Sequence, residues 1–456
     1  MMIRKKLAAA VLSVLSVFAL NADLQAEAAN DNTLKVTDVV IEGVEGYKAD
    51  EIKRLLPELD KSDVDVNKLS KQIMLVNDGK AFKVNSDFKS QGNGNYKVVV
   101  SVEDLKDDQI TVGISNTGSD ATGNWRANVS YVNRDVTQSG DTLGVTYGTS
   151  LNHMKDVHQA SVVYKWSMPK LGDSAYISAI YSDSDANFDN ILNVGNVNLH
   201  SDGKYKDFGA HYQHNFKYTS YKKQILDVGL NYRNYNGNSE LILPDLKPLP
   251  WNPIDVSETV LSATYYDVTR QKNQAFSYNV GMVRNLNGDK AAYSAYRGGT
   301  VVADDKFTIF RVGANYQYKT NSDWVFGARI NAQYTNDNLT ALEQLGGGGV
   351  NSVRGFREHV ASGDKGILGS LEIYTPEFAK NHRFLLFTDM ARLSNNEYNV
   401  GERSRTLSSW GIGYRFLGQQ DCGVNVSLDY AMSMSDGGLD MGKNNRRWNL
   451  IVSCQF

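Results

Sequence analysis

The chain is poor in cysteine and proline, with two of the first, Cys422 and Cys454, and seven of the second in 456 residues. Two cysteines exclude a disulfide framework, and neither has metal-ligand spacing around it, so no metal site is expected. They share strand parity near the end of the chain, and the sequence leaves open whether they pair. A formal net charge of −3 gives no basic footprint, so nucleic acid is not an expected partner. The chain lacks a G-x-S-x-G elbow, an H-E-x-x-H pair and a phosphate-binding loop, so neither enzyme chemistry nor a cofactor is expected. His211 and His214, three apart on a strand, point to opposite faces and cannot share a zinc ion.

Long apolar runs are missing too, except near the start. Arg4, Lys5 and Lys6 precede an apolar stretch from Leu7 to Leu20, and a polar segment then ends in Ala26-Glu27-Ala28. This reads as a cleaved signal peptide over residues 1–28. At about 1.5 Å per residue the apolar stretch is too short for a ~30 Å hydrocarbon core. A mean hydropathy of −0.41 would ordinarily suit a water-soluble protein. However, 25 tyrosines, 39 glycines and a succession of short alternating segments point elsewhere. A transmembrane β-barrel has this composition, because only alternate strand residues face lipid while the lumen stays polar.

Residues 33–106 form a first unit, read as strand, helix, helix, strand, strand. Val36 to Val44 predicts the first strand, and Ile52, Leu55, Leu56 and Leu59 recur at helical spacing. Asp63 or Asp65 can cap a second helix with Leu69, Ile73 and Val76 on its buried stripe. Phe82, Val84 and Phe88 mark the next strand. After Gly92-Asn93-Gly94, Tyr96, Val98, Val100 and Val102 alternate on the last.

From Gln109 to Phe456 about sixteen strands of membrane-crossing length are expected. Val162, Tyr164 and Trp166 alternate with Ser161 and Lys165, and Trp410, Ile412 and Tyr414 with Gly411, Gly413 and Arg415. A soluble sandwich also alternates, but here aromatics gather at strand ends, as an interfacial girdle requires. Trp448, Leu450, Val452, Cys454 and Phe456 share one face of the final strand. That strand is expected to close against Ile110, Val112 and Ile114, since an open edge is not tolerated in lipid.

One connection, 338–365, exceeds ordinary loop lengths. It holds Leu345-Gly346-Gly347-Gly348-Gly349 and then Val353-Arg354-Gly355-Phe356. Glycines on both sides of Arg354 permit a tight path in a confined space. An arginine carried inside a barrel needs an acidic partner. Glu372 and Asp389 both fall in lumen rows of the next two strands, Asp389 together with Phe387, and either can make a bidentate pair that pins the loop inside.

These residues carry a family resemblance. The first unit, opening with Val39-Val40-Ile41-Glu42-Gly43, resembles a POTRA domain. Val353-Arg354-Gly355-Phe356 resembles the VRGF/Y signature of the outer-membrane protein assembly and translocation superfamily. Phe387-Thr388-Asp389-Met390-Ala391 is similar to its F-x-D-x-G motif, with Ala391 in place of glycine. With Glu343-Gln344-Leu345-Gly346-Gly347 and Gly363-Asp364-Lys365-Gly366, the block is especially similar to two-partner-secretion transporters of the haemolysin-secretion type. The resemblance implies an all-β transmembrane barrel of about 16 antiparallel strands (109–456) preceded by one α+β POTRA-like domain (33–106) on the periplasmic side of a bacterial outer membrane. It also implies export of a secreted client in extended or unfolded form, received on the strand edge marked by Phe82, Val84 and Phe88. Outer-membrane lipids are the expected surroundings. A terminal strand through Trp448, Leu450, Val452 and Phe456 resembles the signal read by barrel-assembly machinery during biogenesis. Family members usually carry two POTRA domains, and there is room here for one. The alternatives are an insertion factor for other barrels and a passive porin-like channel, the second of which leaves the Arg354 loop without purpose.

Overall fold

The computed structural model describes residues 32–119, 121–188, 198–243, 247–250, 254–288, 292–293, 302–397, 403–418, 423–438 and 446–456. The signal-peptide reading over residues 1–28 and Cys422 lie outside these residues. The chain folds as a closed sixteen-stranded barrel with a small α/β unit at one mouth.

The small unit runs β1 (Thr33–Glu42), α1 (Tyr47–Leu55), a 3₁₀ turn (Pro57–Asp60), β2 (Asp63–Asp65), α2 (Val66–Gly79), β3 (Phe82–Gly92) and β4 (Asn95–Asp104). Its sheet order is β2-β1-β4-β3, with β1 and β4 parallel. One core, including Ile52, Leu56, Leu69, Phe82, Val84 and Val100, fills the space between sheet and helices. The first helix ends sooner than its apolar spacing suggests. Leu56 precedes Pro57 and leaves helical geometry (φ −120°, ψ 58°), because the proline ring crowds that conformation. Leu59 reaches the core from the 3₁₀ turn instead. Of the two capping candidates it is Asp65 that acts, accepting from the Asn67 and Lys68 backbone at 3.0 and 3.2 Å.

The barrel strands are β5 (Asp108–Ser115), β6 (Arg126–Asn133), β7 (Thr142–Ser150), β8 (Val157–Met168), β9 (Asp173–Phe188), β10 (Asn198–Tyr218), β11 (Lys222–Ile242) and β12 (Ile254–Arg270). They continue through β13 (Gln274–Asn285), β14 (Thr308–Lys319), β15 (Val325–Tyr334), β16 (Lys365–Tyr374), β17 (His382–Ser394), β18 (Ser404–Leu417), β19 (Asn425–Ser435) and β20 (Arg446–Gln455). Each pairs antiparallel with its chain neighbour, and β20 closes on β5 with Val452 opposite Ile114 and Cys454 opposite Val112. Phe456 completes the seam, its backbone N–H donating to Ile110 O at 2.8 Å. Cys454 is disulfide-bonded in this structure.

Alternation gives the wall its two faces. On β17, Phe384, Leu386 and Met390 lie exposed on the outside, while Leu385, Phe387 and Asp389 are buried inside. A belt of outward-facing aromatics that includes Phe208, Tyr232, Phe276, Trp410 and Trp448 is the surface a bilayer covers. No described helix is long and apolar enough to cross a membrane.

The small unit rests on the turns at one mouth of the barrel. Arg54 Nη2 donates to Gln138 O at 3.1 Å and Gln72 Nε2 to Pro169 O at 3.2 Å. Asp78 pairs with Lys223 at 2.5 Å and accepts from the Tyr218 hydroxyl. Glu51 is fully buried, and neither of its carboxyl oxygens has a hydrogen-bond partner. Burial first, and then the Asp135 carboxyl beside it, push the Glu51 carboxyl up to about 8.

Candidate functional site: a loop anchored inside the lumen

The connection between β15 and β16 folds into the barrel instead of away from it. A short hairpin, Leu345–Gly347 with Ala361–Gly363, lays its middle against the wall. Gly347 faces that wall, where a side chain would start 3.4 Å from Ala391 Cβ. A residue as small as Ala391 lets the hairpin lie this close. Val353, Phe356, Ala361, Leu368, Ala391, Leu393 and Leu407 then form a dry cluster under the loop tip.

Arg354 is seated in this packing with 4% of its side chain exposed. Nε and Nη2 donate to the two oxygens of Asp389 at 2.8 and 2.9 Å, and the Arg354 backbone N–H adds a third bond to the same carboxylate at 3.1 Å. Glu372 lies 2.8 Å from Nη2, and Ser370 bridges from Nη2 to Asp389. The guanidinium also stacks over the Phe387 ring at 3.5 Å, so one flat face is covered as its edge is satisfied. Gly355 next to it takes φ +96°, and a Cβ there would meet Ala431 Cβ at 3.2 Å, so the tip bends where only glycine fits.

The structure thus brings Val353, Arg354, Gly355, Phe356, Asp389, Glu372 and Phe387 into one site. It adds Ser370 on β16 and Asp429 on β19, whose carboxylate lies 3.7 Å from Arg354 Nη1 and is held by Arg415 at 2.6 Å. Lumen parity marks Asp429, between Leu428 and Tyr430, but sequence alone does not show which strand faces the loop.

A second set of loop contacts has no counterpart in the sequence reading. Glu343, 1% exposed, sits between Arg233 on β11 and Arg311 on β14, with Arg311 at 2.8 Å. Arg233 also holds Asp207 on β10 at 2.9 Å, and Arg311 Nε donates to Gln333 at 2.9 Å. Thr340 Oγ1 donates to Glu258 on β12 at 2.9 Å. The available signal is Glu343 itself, an acid within the motif block.

Phe82, Val84 and Phe88, read as a client-binding edge, are placed differently. Phe82 and Val84 are in the core of the small unit and Phe88 packs against it. What β3 offers outward is its backbone edge beyond Val84, whose own N–H and C=O are taken by the Asn77 side chain. His211 lies in the lumen against Asp227 at 2.7 Å and His214 against Asp173 at 3.0 Å, so they do not converge. Among the described residues no group of metal-binding side chains is present.

Residues 94–416 match the model of the haemolysin secretion/activation protein family ShlB/FhaC/HecB. The chain belongs to this family. Members of the ShlB/FhaC/HecB family are outer-membrane transporters rather than enzymes. No curated protein sequence matches the chain. Among solved structures, CdiB from Escherichia coli superposes with a TM-score of 0.75 at 16% identity, covering 93% of this chain and 76% of that one. CdiB from Acinetobacter baumannii gives 0.69 at 14% identity, with 93% and 74% covered. BamA from Haemophilus ducreyi lacking POTRA domains 1–3 gives 0.53 at 16% identity, with 93% and 85% covered. At these identities the likeness is one of fold. The fold is that of POTRA-bearing barrels, and the small unit is accordingly POTRA-like.

Proposed function

We propose that this protein exports a secreted partner protein through its barrel, from the periplasm to the cell surface. One observation carries the reading. A loop anchored inside the lumen is combined, in one chain, with a POTRA-like unit at the mouth whose β3 carries no further strand on its outer edge. A porin needs neither feature. The client, in extended form, adds a strand to the β3 edge, gaining main-chain hydrogen bonds that do not depend on its sequence. Lys83, Asn85, Asp87 and Lys89, which alternate with the core residues of β3, set any preference. The client then enters a polar lumen as the loop shifts. The POTRA-like unit faces the periplasm, where the client waits.

A specific feature favours the rival reading, insertion of other barrels. The β20–β5 seam has five ladder pairs, against thirteen between β17 and β18. The two readings part in a secretion assay. Deletion of residues Thr33–Lys106 leaves a heat-modifiable barrel that no longer secretes its client. Secretion that survives the deletion means the unit is not the receptor.

A further inference from the structure

The lumen loop is held at two places on the barrel wall. Asp389 and Asp429 receive its tip on β17 and β19, while Arg233 and Arg311 receive Glu343 on β11 and β14. β14 and β17 stand three places apart in the ring and β11 and β19 eight, so the segment from Glu343 to Arg354 is a strut between two separate stretches of the lumen wall. We propose that Glu343 is the positioning residue that latches this strut, and that the pore opens by its release while the Arg354 tip stays seated as a pivot. This inference rests on the export reading for its purpose, but not for its test.

The asymmetry lies in what each release would leave behind. Removing Arg354 from its seat strands Asp389, Glu372 and Asp429 with one fewer cation and uncovers the Phe387 ring. It also bares Val353 and Phe356, both fully buried. An acidic site that loses its arginine is strongly destabilised, and the apolar cluster adds to that. Releasing Glu343 strands little. Arg233 keeps Asp207, Arg311 keeps Gln333, and the freed carboxylate enters a polar lumen. Arg311 is already 40% exposed, so water reaches this pair and lowers the barrier to exchange. A hinge is available between the two holds. Gly346 and Gly347 lie between Glu343 and the tip, and the hairpin around them packs on β17 and β18.

Gly347 also supplies the means of testing the pivot. Its Cβ position lies 3.4 Å from Ala391 Cβ, close to disulfide separation, and only the flexible end of Leu393, 2.8 Å away, must turn aside. Gly347→Cys with Ala391→Cys therefore locks the tip side to the wall on oxidation and leaves the Glu343 limb free.

The experiment is planar-bilayer recording of the full-length protein in potassium chloride, with heat-modifiability on gels as the check of folding. Glu343→Gln is expected to raise open-state occupancy at least about tenfold, as loss of a charge-assisted hydrogen bond implies. Arg311→Gln, which keeps the Arg233 half of the latch, gives a smaller rise, and it reads the same prediction if Glu343→Gln fails to fold. Oxidising the Gly347→Cys/Ala391→Cys pair in the Glu343→Gln background leaves the rise in place. Wild-type occupancy in both single variants overturns the latch. A rise that disappears on oxidation overturns the pivot, since the tip must then leave as well. Ions are the only probe, so the result stands whether or not the barrel exports a protein. The deletion of Thr33–Lys106 tests that question separately.

Discussion

The two walls that hold the loop are built differently. The β16–β19 wall receives Arg354 in a dry seat where Phe387, Leu393 and Leu407 are buried and a guanidinium meets three carboxylates. The β10–β14 wall receives Glu343 in a wetter one, where two arginines share a carboxylate and each keeps another partner. At the first seat the apolar cluster lies around the paired residue itself, whereas at the second the apolar anchor is Leu339, four residues before Glu343, and the ion pairs are exchangeable. An ion pair gains strength as water leaves, so the chemistry that makes one contact permanent makes the other adjustable.

The largest effect expected from breaking this contrast is at the dry seat. Arg354→Ala keeps the barrel inserted but lowers export, at a cost of up to ~3–5 kcal/mol that lumen water reduces. Asp389→Asn acts in the same direction, and the double variant adds little, because the two belong to one pair. Secretion and single-channel conductance measure it, and wild-type values in both single variants remove the anchored loop from the mechanism. Next comes Gly355→Ala. With φ at +96° and Ala431 Cβ 3.2 Å from the added methyl, the strain is ~1–3 kcal/mol, concentrated at the tip. It is expected to give a weaker version of the Arg354→Ala record.

Salt sharpens the comparison more gently. Raising potassium chloride from 0.1 to 1 M shortens the screening length from about 10 to 3 Å. Openings controlled by the wet latch become more frequent in the wild type, and the oxidised tip lock does not prevent this. No salt dependence would mean that the Glu343 site is as closed to water as the other. The smallest effect lies outside both walls. Glu51 sits between the POTRA-like unit and the turn carrying Asp135, its carboxyl pushed up to about 8 by burial first. Because the folded value is raised, the stabilisation is full below about 4.5, falls as pH rises and is gone above about 8. Tryptic cleavage at Lys53 and Arg54 is therefore expected to accelerate between pH 6 and 8 and to level off above, and Glu51→Gln to flatten the profile.

Period-two alternation made the barrel legible, because lipid enforces it strand by strand. The small unit is legible as strand, helix, helix, strand, strand, but the three-residue β2 is too short to show alternation, and apolar spacing carries α1 past Pro57, ahead of which it ends. At the site, Arg354, Asp389 and Glu372 could be read because a charged residue between glycines asks for a partner and strand parity restricts the choice. Glu343 was hidden for the opposite reason. Its partners Arg233 and Arg311 lie far upstream on strands whose facing depends on barrel closure, and parity places them in the lumen without saying what they meet. Phe82, Val84 and Phe88 show the remaining limit, since one row of a strand can be read as an interface or as a core until the other layer is known.

The barrel is far from even in height. β5, β6 and β7 have eight or nine residues, whereas β10 and β11 have 21 each and stay paired from Tyr218 opposite Lys223 to Asn198 opposite Ile242. At ~3.3 Å per residue those two span roughly 70 Å along the strand, well beyond what an apolar band ~25 Å tall requires. Past Phe208 and Tyr232 their outward rows turn to Lys204, Lys206, Asn234 and Asn236, so the upper half of this hairpin stands clear of lipid as a rigid parapet on one side of the exit. On the export reading proposed above, a chain emerging beside it has shelter on that side and open water on the other, so its first folded turns have a preferred direction in which to grow.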